Sequence, residues 1–307
     1  MTEEELRDLN PWAKFLEKNE LKLYFEGGKQ CCKGDLKPLE TINDDLRKSK
    51  AKDAKQGIYQ LELPPCPWDG NPLKANVIFL TLNPGYVEPF NKHFSKLVAS
   101  NANLNKRVLK FRKKTLLLEA DLRPTETEDE EPISTFDAVE IMDDIYWTNK
   151  FKHLVETLQK EQAEYKIEDF WKKVSVLQYI AYTSETFKKP EIPKTSKEDE
   201  IKPLPSQGFT KELIEFRLEK AQNDKEPLLL VVMRSKDKWE WLLGKEIFEK
   251  YKEHFIFRKK VTITRKNGTT TEQNPRGQYI TENSFENGKD DWDKIIKALK
   301  IQKNESK

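Results

Sequence analysis

The chain has 307 residues, of which 35% are charged and 36% hydrophobic, and its formal net charge is +2. Its 7 Trp, 9 Tyr and 16 Phe residues exclude a wholly disordered chain, because disordered chains lack such core-forming side chains. A net charge this close to zero excludes a uniformly basic nucleic-acid binder, so any nucleic-acid surface must be a local patch.

We expect neither a secretory signal peptide nor a transmembrane helix in this chain. Its N-terminal segment is acidic, and its longest apolar run, at residues 228–233, is far shorter than the ~20 residues of a transmembrane helix. Three cysteines cannot form a disulfide framework. We therefore expect a cytoplasmic protein that does not interact with membranes.

The chain divides into an arm and one domain. Residues 1–60 are charged and weakly helical, with a few aromatic anchors, and predict an N-terminal helical arm packed on the main body. Residues 61–307 predict a single α/β domain with loop insertions near 120–135 and 188–206, where charge and proline are concentrated.

Three apolar runs in this domain predict strands buried on both faces. They lie at residues 75–82, 174–182 and 228–233, and a shorter run at 255–257 predicts a fourth strand. Helical periodicity covers residues 104–114, 145–172, 209–222, 239–251 and 292–301. A hairpin is predicted around Asn267-Gly268, which is typical of a type I′ turn. Strands that alternate with helices predict a three-layer α/β/α sandwich around a short parallel sheet.

Several enzyme classes leave no motif in this sequence. The patterns GxxxxGK, GxGxxG, HExxH and GxSxG are absent, and the three histidines are far apart. We therefore predict no cofactor and no metal site. A metal-dependent nuclease remains an alternative through the spacing of Glu164-Tyr165-Lys166, although such a triplet is expected by chance in so charged a chain.

The polar segments that follow the predicted strands are the candidate site. Ligands of open α/β sheets bind outside the carboxyl ends of the strands. The segments at these positions are Asn83-Pro84-Gly85-Tyr86, Tyr182-Thr183-Ser184 and Arg234-Ser235. We predict that they contribute to one cleft.

These segments also carry a family resemblance. Gly70-Asn71-Pro72, a strand and then Asn83-Pro84-Gly85-Tyr86 resemble the first motif of the uracil-DNA glycosylase superfamily, in the branch whose motif reads N-P-G. Later segments resemble an uncharacterised bacterial set of that superfamily; they are Tyr182-Thr183-Ser184, Leu204-Pro205-Ser206-Gln207 and Asn274-Pro275-Arg276. The resemblance spans roughly residues 64–300, without the acidic insertion.

The resemblance implies a glycosylase-like fold and a DNA glycosylase that hydrolyses the N-glycosidic bond of uracil or another damaged base flipped from DNA. Asn83 is the implied catalytic residue, since an amide can orient water although it cannot act as a base. The candidate substrate-binding residues are Pro84, Gly85, Tyr86, Phe90, Tyr182, Ser184, Arg234 and Asn274. The candidate DNA contacts are Arg112, Lys113 and Arg276, with DNA as the expected partner and no obligate protein partner.

The sequence departs from the strongest glycosylases of this superfamily. Those enzymes carry an Asp or Glu that activates water and a His near the last motif, whereas Asn83 has no acidic neighbour and the last motif here reads Asn274-Pro275-Arg276. The alternative function is therefore a non-catalytic module that binds nucleotides or nucleic acid in the same pocket.

Overall fold

Helices and strands alternate along the chain, as the sequence predicts for an α/β protein. The computed structural model describes residues 1–22, 28–51, 53–85, 96–120, 137–187, 202–264, 270–273 and 279–301. The helices are α1 (Glu3–Leu9), α2 (Pro11–Lys18), α3 (Lys33–Lys48), α4 (Ala102–Leu116), α5 (Asp137–Glu161), α6 (Ile167–Lys173), α7 (Pro205–Asp224), α8 (Lys236–Leu243), α9 (Lys245–Lys250) and α10 (Lys289–Leu299). The strands are β1 (Trp68–Asp69), β2 (Val77–Thr81), β3 (Val174–Gln178), β4 (Leu229–Val232), β5 (Phe255–Phe257), β6 (Val261–Thr264) and β7 (Thr270–Gln273).

Five of these strands form one sheet in the order β1-β3-β2-β4-β5. β2 and β4 are parallel, with Val77 opposite Leu229, and β4 and β5 are parallel, with Val232 opposite Phe257. Residues of β2, β3 and β4 are almost entirely buried, which explains their apolar runs in the sequence. The predicted strands at 75–82, 174–182, 228–233 and 255–257 are therefore confirmed; the last coincides with β5, and no end of the others is shifted by more than four residues.

The sheet is mixed, which corrects the prediction of a wholly parallel sheet. The segment that leads into β1 pairs with the segment that begins in β3: Cys66 N donates to Ala181 O (2.8 Å), and Gln178 N donates to Pro67 O (2.9 Å). The residue numbers increase along one segment while they decrease along the other, so the two segments are antiparallel. Prolines surround Cys66, and because proline has no N–H to continue a ladder, this strand is confined to the edge of the sheet. A second, two-stranded sheet contains β6 and β7, which are antiparallel as the hairpin prediction requires.

Two predicted helical regions are each divided in two. The region 145–172 contains α5, which ends at Glu161, and α6, which begins at Ile167. The periodicity at residues 239–251 predicts a single helix, but α8 ends at Leu243 and α9 begins at Lys245. Gly244 between them has a φ of 89°, a left-handed backbone conformation that favours glycine and ends helices.

The chain forms two units, which we describe separately. The first contains Met1–Asp69, Leu82–Ala120 and Leu177–Arg217, and the second contains Gly70–Thr81, Asp121–Val176 and Leu218–Lys307. The predicted division into an arm at 1–60 and a domain at 61–307 stays a prediction. Within the described ranges, no helix is long and apolar enough to cross a lipid bilayer.

Each unit has its own aromatic core. In the first unit, the rings of Trp12 and Tyr182 lie 6.0 Å apart, and Trp68 Nε1 donates a hydrogen bond to Thr115 O (2.6 Å). In the second unit, Phe151 on α5 packs against Phe79 of β2, with ring centroids 4.7 Å apart. The helices therefore anchor the elements that carry the candidate site residues.

Candidate functional site

The segment after β2, residues 82–85, forms a turn that we call the Asn83 turn. Ser184 N donates to Pro84 O (3.3 Å), and Gly85 pairs with Ser184 in a parallel bridge. The turn therefore runs beside the Tyr182-Thr183-Ser184 segment, as the placement of both segments at strand ends predicts. Gly85 is exposed, and nothing lies within 4 Å of the position that a Cβ would take there.

The side-chain amide of Asn83 is held as a hydrogen-bond donor. Its Nδ2 lies 2.9 Å from Pro84 O, 2.9 Å from Ser184 Oγ and 3.3 Å from Ser184 O. Two of these acceptors are backbone carbonyl oxygens, which never donate, so the amide nitrogen rather than the amide oxygen must face them. Ser184 is fully buried and its hydroxyl donates to Thr186 O (3.0 Å), which leaves the Ser184 Oγ lone pairs for Asn83.

This orientation leaves Asn83 Oδ1 as a fixed acceptor. Among the residues that the structure describes, none donates a hydrogen bond to this oxygen. Asn83 is half-buried, so water or the polar edge of a ligand can reach it. The turn can therefore orient a bound molecule without disturbing its own hydrogen bonds.

Tyr182 lies in the interior of the first unit. It is 1% exposed, its hydroxyl donates to Asp35 Oδ2 (2.8 Å), and the oxygen of this hydroxyl accepts from Cys32 N (3.1 Å). Asp35 Oδ1 accepts from Ser206 N (3.2 Å). A role for Tyr182 in substrate binding stays a prediction, and its contacts here are within the protein.

Asp35 lies in the first turn of α3 and also contacts the first turn of α7, which begins at Pro205. The partial positive charge at a helix N-terminus favours a carboxylate. Burial nevertheless raises the pKa of Asp35, against the hydrogen bonds from Ser206 and Tyr182 that lower it. Burial also raises the pKa of the neighbouring Cys31 thiol to about 12, which makes this thiol a poor nucleophile at neutral pH.

Arg234 belongs to the second unit and is exposed, two residues after the end of β4. Arg258 and Lys150 are two further, nearly buried cations of this unit. Burial lowers the pKa of Lys150 to about 8, and the positive charges of Arg258 and Arg234 lower it further. Sequence analysis missed Arg258 and Lys150. Arg258 directly follows β5, so the rule that ligands bind at strand ends would have found it, whereas nothing in the sequence marks Lys150 within a long helix.

The predicted DNA contacts differ in their surroundings. Arg112 Nη1 lies 3.5 Å from Asp69 Oδ1, and both side chains are about one-fifth exposed, so a carboxylate of the same unit partly balances its charge. Lys113, the next residue along α4, is exposed. The DNA-binding role of both residues stays a prediction.

The other predicted site residues, Tyr86, Phe90, Asn274 and Arg276, lie outside the described residues. The predicted single cleft therefore stays a prediction. Asn83, Pro84, Gly85 and Ser184 are brought together.

No group of three or more His, Cys, Asp or Glu side chains in the described ranges is arranged to hold a metal ion. No protein-family model, curated protein or solved structure matches this chain. The resemblance to the uracil-DNA glycosylase superfamily therefore rests on the sequence motifs.

Proposed function

We propose that this protein is a DNA glycosylase-like hydrolase of the uracil-DNA glycosylase fold, in which Asn83 orients the attacking water. One observation carries the proposal. The amide nitrogen of Asn83 is bound to Pro84 and Ser184, so its Oδ1 is held as an acceptor at the carboxyl end of a buried parallel strand. This is where ligands of α/β sheets bind.

In the proposed reaction, Asn83 Oδ1 accepts a hydrogen bond from a water molecule and directs the water oxygen at the sugar C1′. The bond between C1′ and the base nitrogen breaks, and its electron pair leaves with the base. The water oxygen bonds to C1′, and its proton passes to solvent, since an amide does not accept it. The exposed backbone at Gly85 lets a flipped base approach closely.

The second candidate is a non-catalytic module that binds a nucleobase at the same turn. The sequence of the Asn83 turn, Leu82-Asn83-Pro84-Gly85, favours it, because these residues include no carboxylate that could serve as a general base. Both candidates require Asn83 Oδ1 as the acceptor, and they differ in whether a bound base is released from its sugar.

The test is a glycosylase assay on single- and double-stranded oligonucleotides that carry uracil, hypoxanthine or an alkylated base, with alkaline cleavage of the abasic product as the readout. We expect slow release of at least one base. Replacing Asn83 by Ala removes the water-orienting oxygen and should lower the rate at least about 10-fold.

A matched control is Asn10→Ala. Asn10 is a buried asparagine of the first unit that accepts from Trp12 N (3.0 Å) and donates to Leu116 O (2.8 Å), so its loss also costs hydrogen bonds, but away from the Asn83 turn. Asn10→Ala should leave the rate of the folded protein unchanged. Binding of a base-modified oligonucleotide without cleavage, weakened by Asn83→Ala alone, would favour the second candidate; neither cleavage nor binding would reject both.

A further inference from the structure

Asn43 on α3 is a buried asparagine that holds the backbone of another segment of the first unit. The residue is 3% exposed, its Nδ2 donates to Tyr59 O (2.8 Å), and its Oδ1 accepts from Tyr59 N (2.8 Å). This side chain therefore fixes the peptide groups on both sides of Tyr59. The second of these peptide groups joins Tyr59 to Gln60.

This second peptide group is hydrogen-bonded at both ends. Its oxygen accepts from Asn43, and its N–H, which belongs to Gln60, donates to Thr183 O (2.8 Å). The next peptide group has the same pair of contacts. Its oxygen is that of Thr183, and its N–H, which belongs to Ser184, donates to Pro84 O (3.3 Å). Hydrogen bonds thus connect α3, through two peptide groups, to the Asn83 turn.

The last acceptor of this chain of hydrogen bonds is also an acceptor for Asn83. Pro84 O accepts from Asn83 Nδ2 (2.9 Å) as well as from Ser184 N. Ser184 is fully buried, so water does not replace this contact. Hydrogen bonds in such a chain polarise one another, and each peptide group is held from both sides. A displacement at the start of the chain therefore reaches the oxygen that orients the Asn83 amide.

We propose that Asn43 is a positioning residue for Asn83, which it orients through this chain of hydrogen bonds. Asn43 acts through other groups, because both of its polar atoms are bound to the backbone of Tyr59. Its role is to fix the direction of Asn83 Oδ1 without contacting a bound base. The consequence for base release rests on the proposed function, whereas the orientation of the amide does not.

The test is hydrogen exchange of the Asn83 side-chain amide, followed by NMR of the isotope-labelled full chain without a substrate. The signals of this amide are those missing from the spectrum of Asn83→Ala. Asn43→Ala removes both hydrogen bonds to Tyr59 and should speed exchange of the Asn83 amide about 5–30-fold, through a shift in local opening. Asn43→Asp keeps the size of the side chain and the acceptor for Tyr59 N, so it preserves the fold. It loses the donor to Tyr59 O and should change the exchange rate in the same direction.

Asn10→Ala is the matched control. Asn10 is also a buried asparagine of the first unit that accepts from one backbone N–H and donates to one backbone oxygen. Exchange through unfolding of the whole unit would be faster in both variants, whereas exchange through the chain of hydrogen bonds is faster only when Asn43 is replaced. Equal exchange rates of the Asn83 amide in Asn43→Ala and Asn10→Ala, or unchanged rates in both Asn43 variants, would overturn the proposal.

Base release gives a second readout. With a substrate oligonucleotide, Asn43→Ala should lower kcat about 10-fold and leave KM within about twofold, because the orientation of Asn83 Oδ1 acts on the attacking water and not on DNA binding. A raised KM with an unchanged kcat would contradict the positioning role. A protein that releases no base, but whose Asn83 amide exchanges faster in Asn43→Ala alone, would reject the proposed function and support the positioning role.

Discussion

Replacing Asn83 by Asp tests the geometry of the Asn83 turn directly. The substitution places a carboxylate oxygen where the amide nitrogen now lies 2.9 Å from Pro84 O and 3.3 Å from Ser184 O. Two N–H donors are lost, at about 1 kcal/mol each, and a negative charge then faces two carbonyl oxygens. We expect the free energy of unfolding at pH 7 to fall by about 3 kcal/mol, against about 2 kcal/mol for Asn83→Ala.

The pH dependence separates the two variants. A neutral carboxyl group can donate one hydrogen bond to a carbonyl oxygen, so folding favours the protonated acid and raises the pKa of the introduced carboxyl. The native state then binds more protons than the unfolded state. The loss of stability due to the charge of the introduced carboxylate is absent below the pKa of this group in the unfolded state and complete above its pKa in the folded state.

Urea unfolding of the two variants and the unmodified protein at several pH values between 4 and 7 measures this difference. The Asp variant should recover stability towards pH 4, whereas the Ala variant should show the same deficit throughout. An Asp variant as stable as the unmodified protein at pH 7 would refute the donor assignment of the Asn83 amide.

Two further predictions concern the interior of the first unit. Burial raises the pKa of Asp35, so ionisation of this carboxyl lowers the stability of the protein as pH rises through the folded-state pKa. In urea unfolding, the stability of the Asp35→Asn variant relative to the unmodified protein should therefore increase between pH 4 and pH 7. A difference in unfolding free energy that does not change with pH would contradict this prediction. At Gly34, a Cβ would meet Pro205 Cγ at 2.6 Å, so Gly34→Ala should cost about 1–3 kcal/mol. At Gly208 an added Cβ would have no neighbouring atom within 4 Å, so Gly208→Ala should instead raise the free energy of unfolding by about 0.5–1 kcal/mol, as measured by thermal unfolding. Equal effects of the two substitutions would disprove the close contact between Gly34 and Pro205.

The sequence predicts the central strands well because their signal is local. Residues 77–81 and 229–232 are short, apolar and rich in β-branched side chains, and burial on both faces requires this composition. The direction of β1 was not predictable in this way. Its two residues carry no periodicity, and whether an edge strand runs parallel or antiparallel depends on partners far along the chain.

The polar interior could not be predicted because its partners are distant in sequence. Asp35 meets Tyr182 across 147 positions, and its neighbourhood in the sequence is that of an ordinary first turn of a helix. Lys150 is one lysine among many on a charged chain, and its low exposure follows from the packing of α5. By contrast, the pairing of the Asn83 turn with Ser184 followed from the placement of both segments after adjacent strands.

Polar groups that stabilise the fold can be distinguished from candidate ligand-binding groups by whether the protein itself supplies their hydrogen-bond partners. The Tyr182 hydroxyl donates to Asp35 and accepts from Cys32 N, and both oxygens of Asp35 accept, so this network is satisfied by the protein alone. Asn83 differs, because its donors are engaged by the turn while no described residue donates to its Oδ1. A residue at a strand end therefore points to a ligand when the described residues leave its acceptor without a donor, and Asn83 meets that condition where Tyr182 does not.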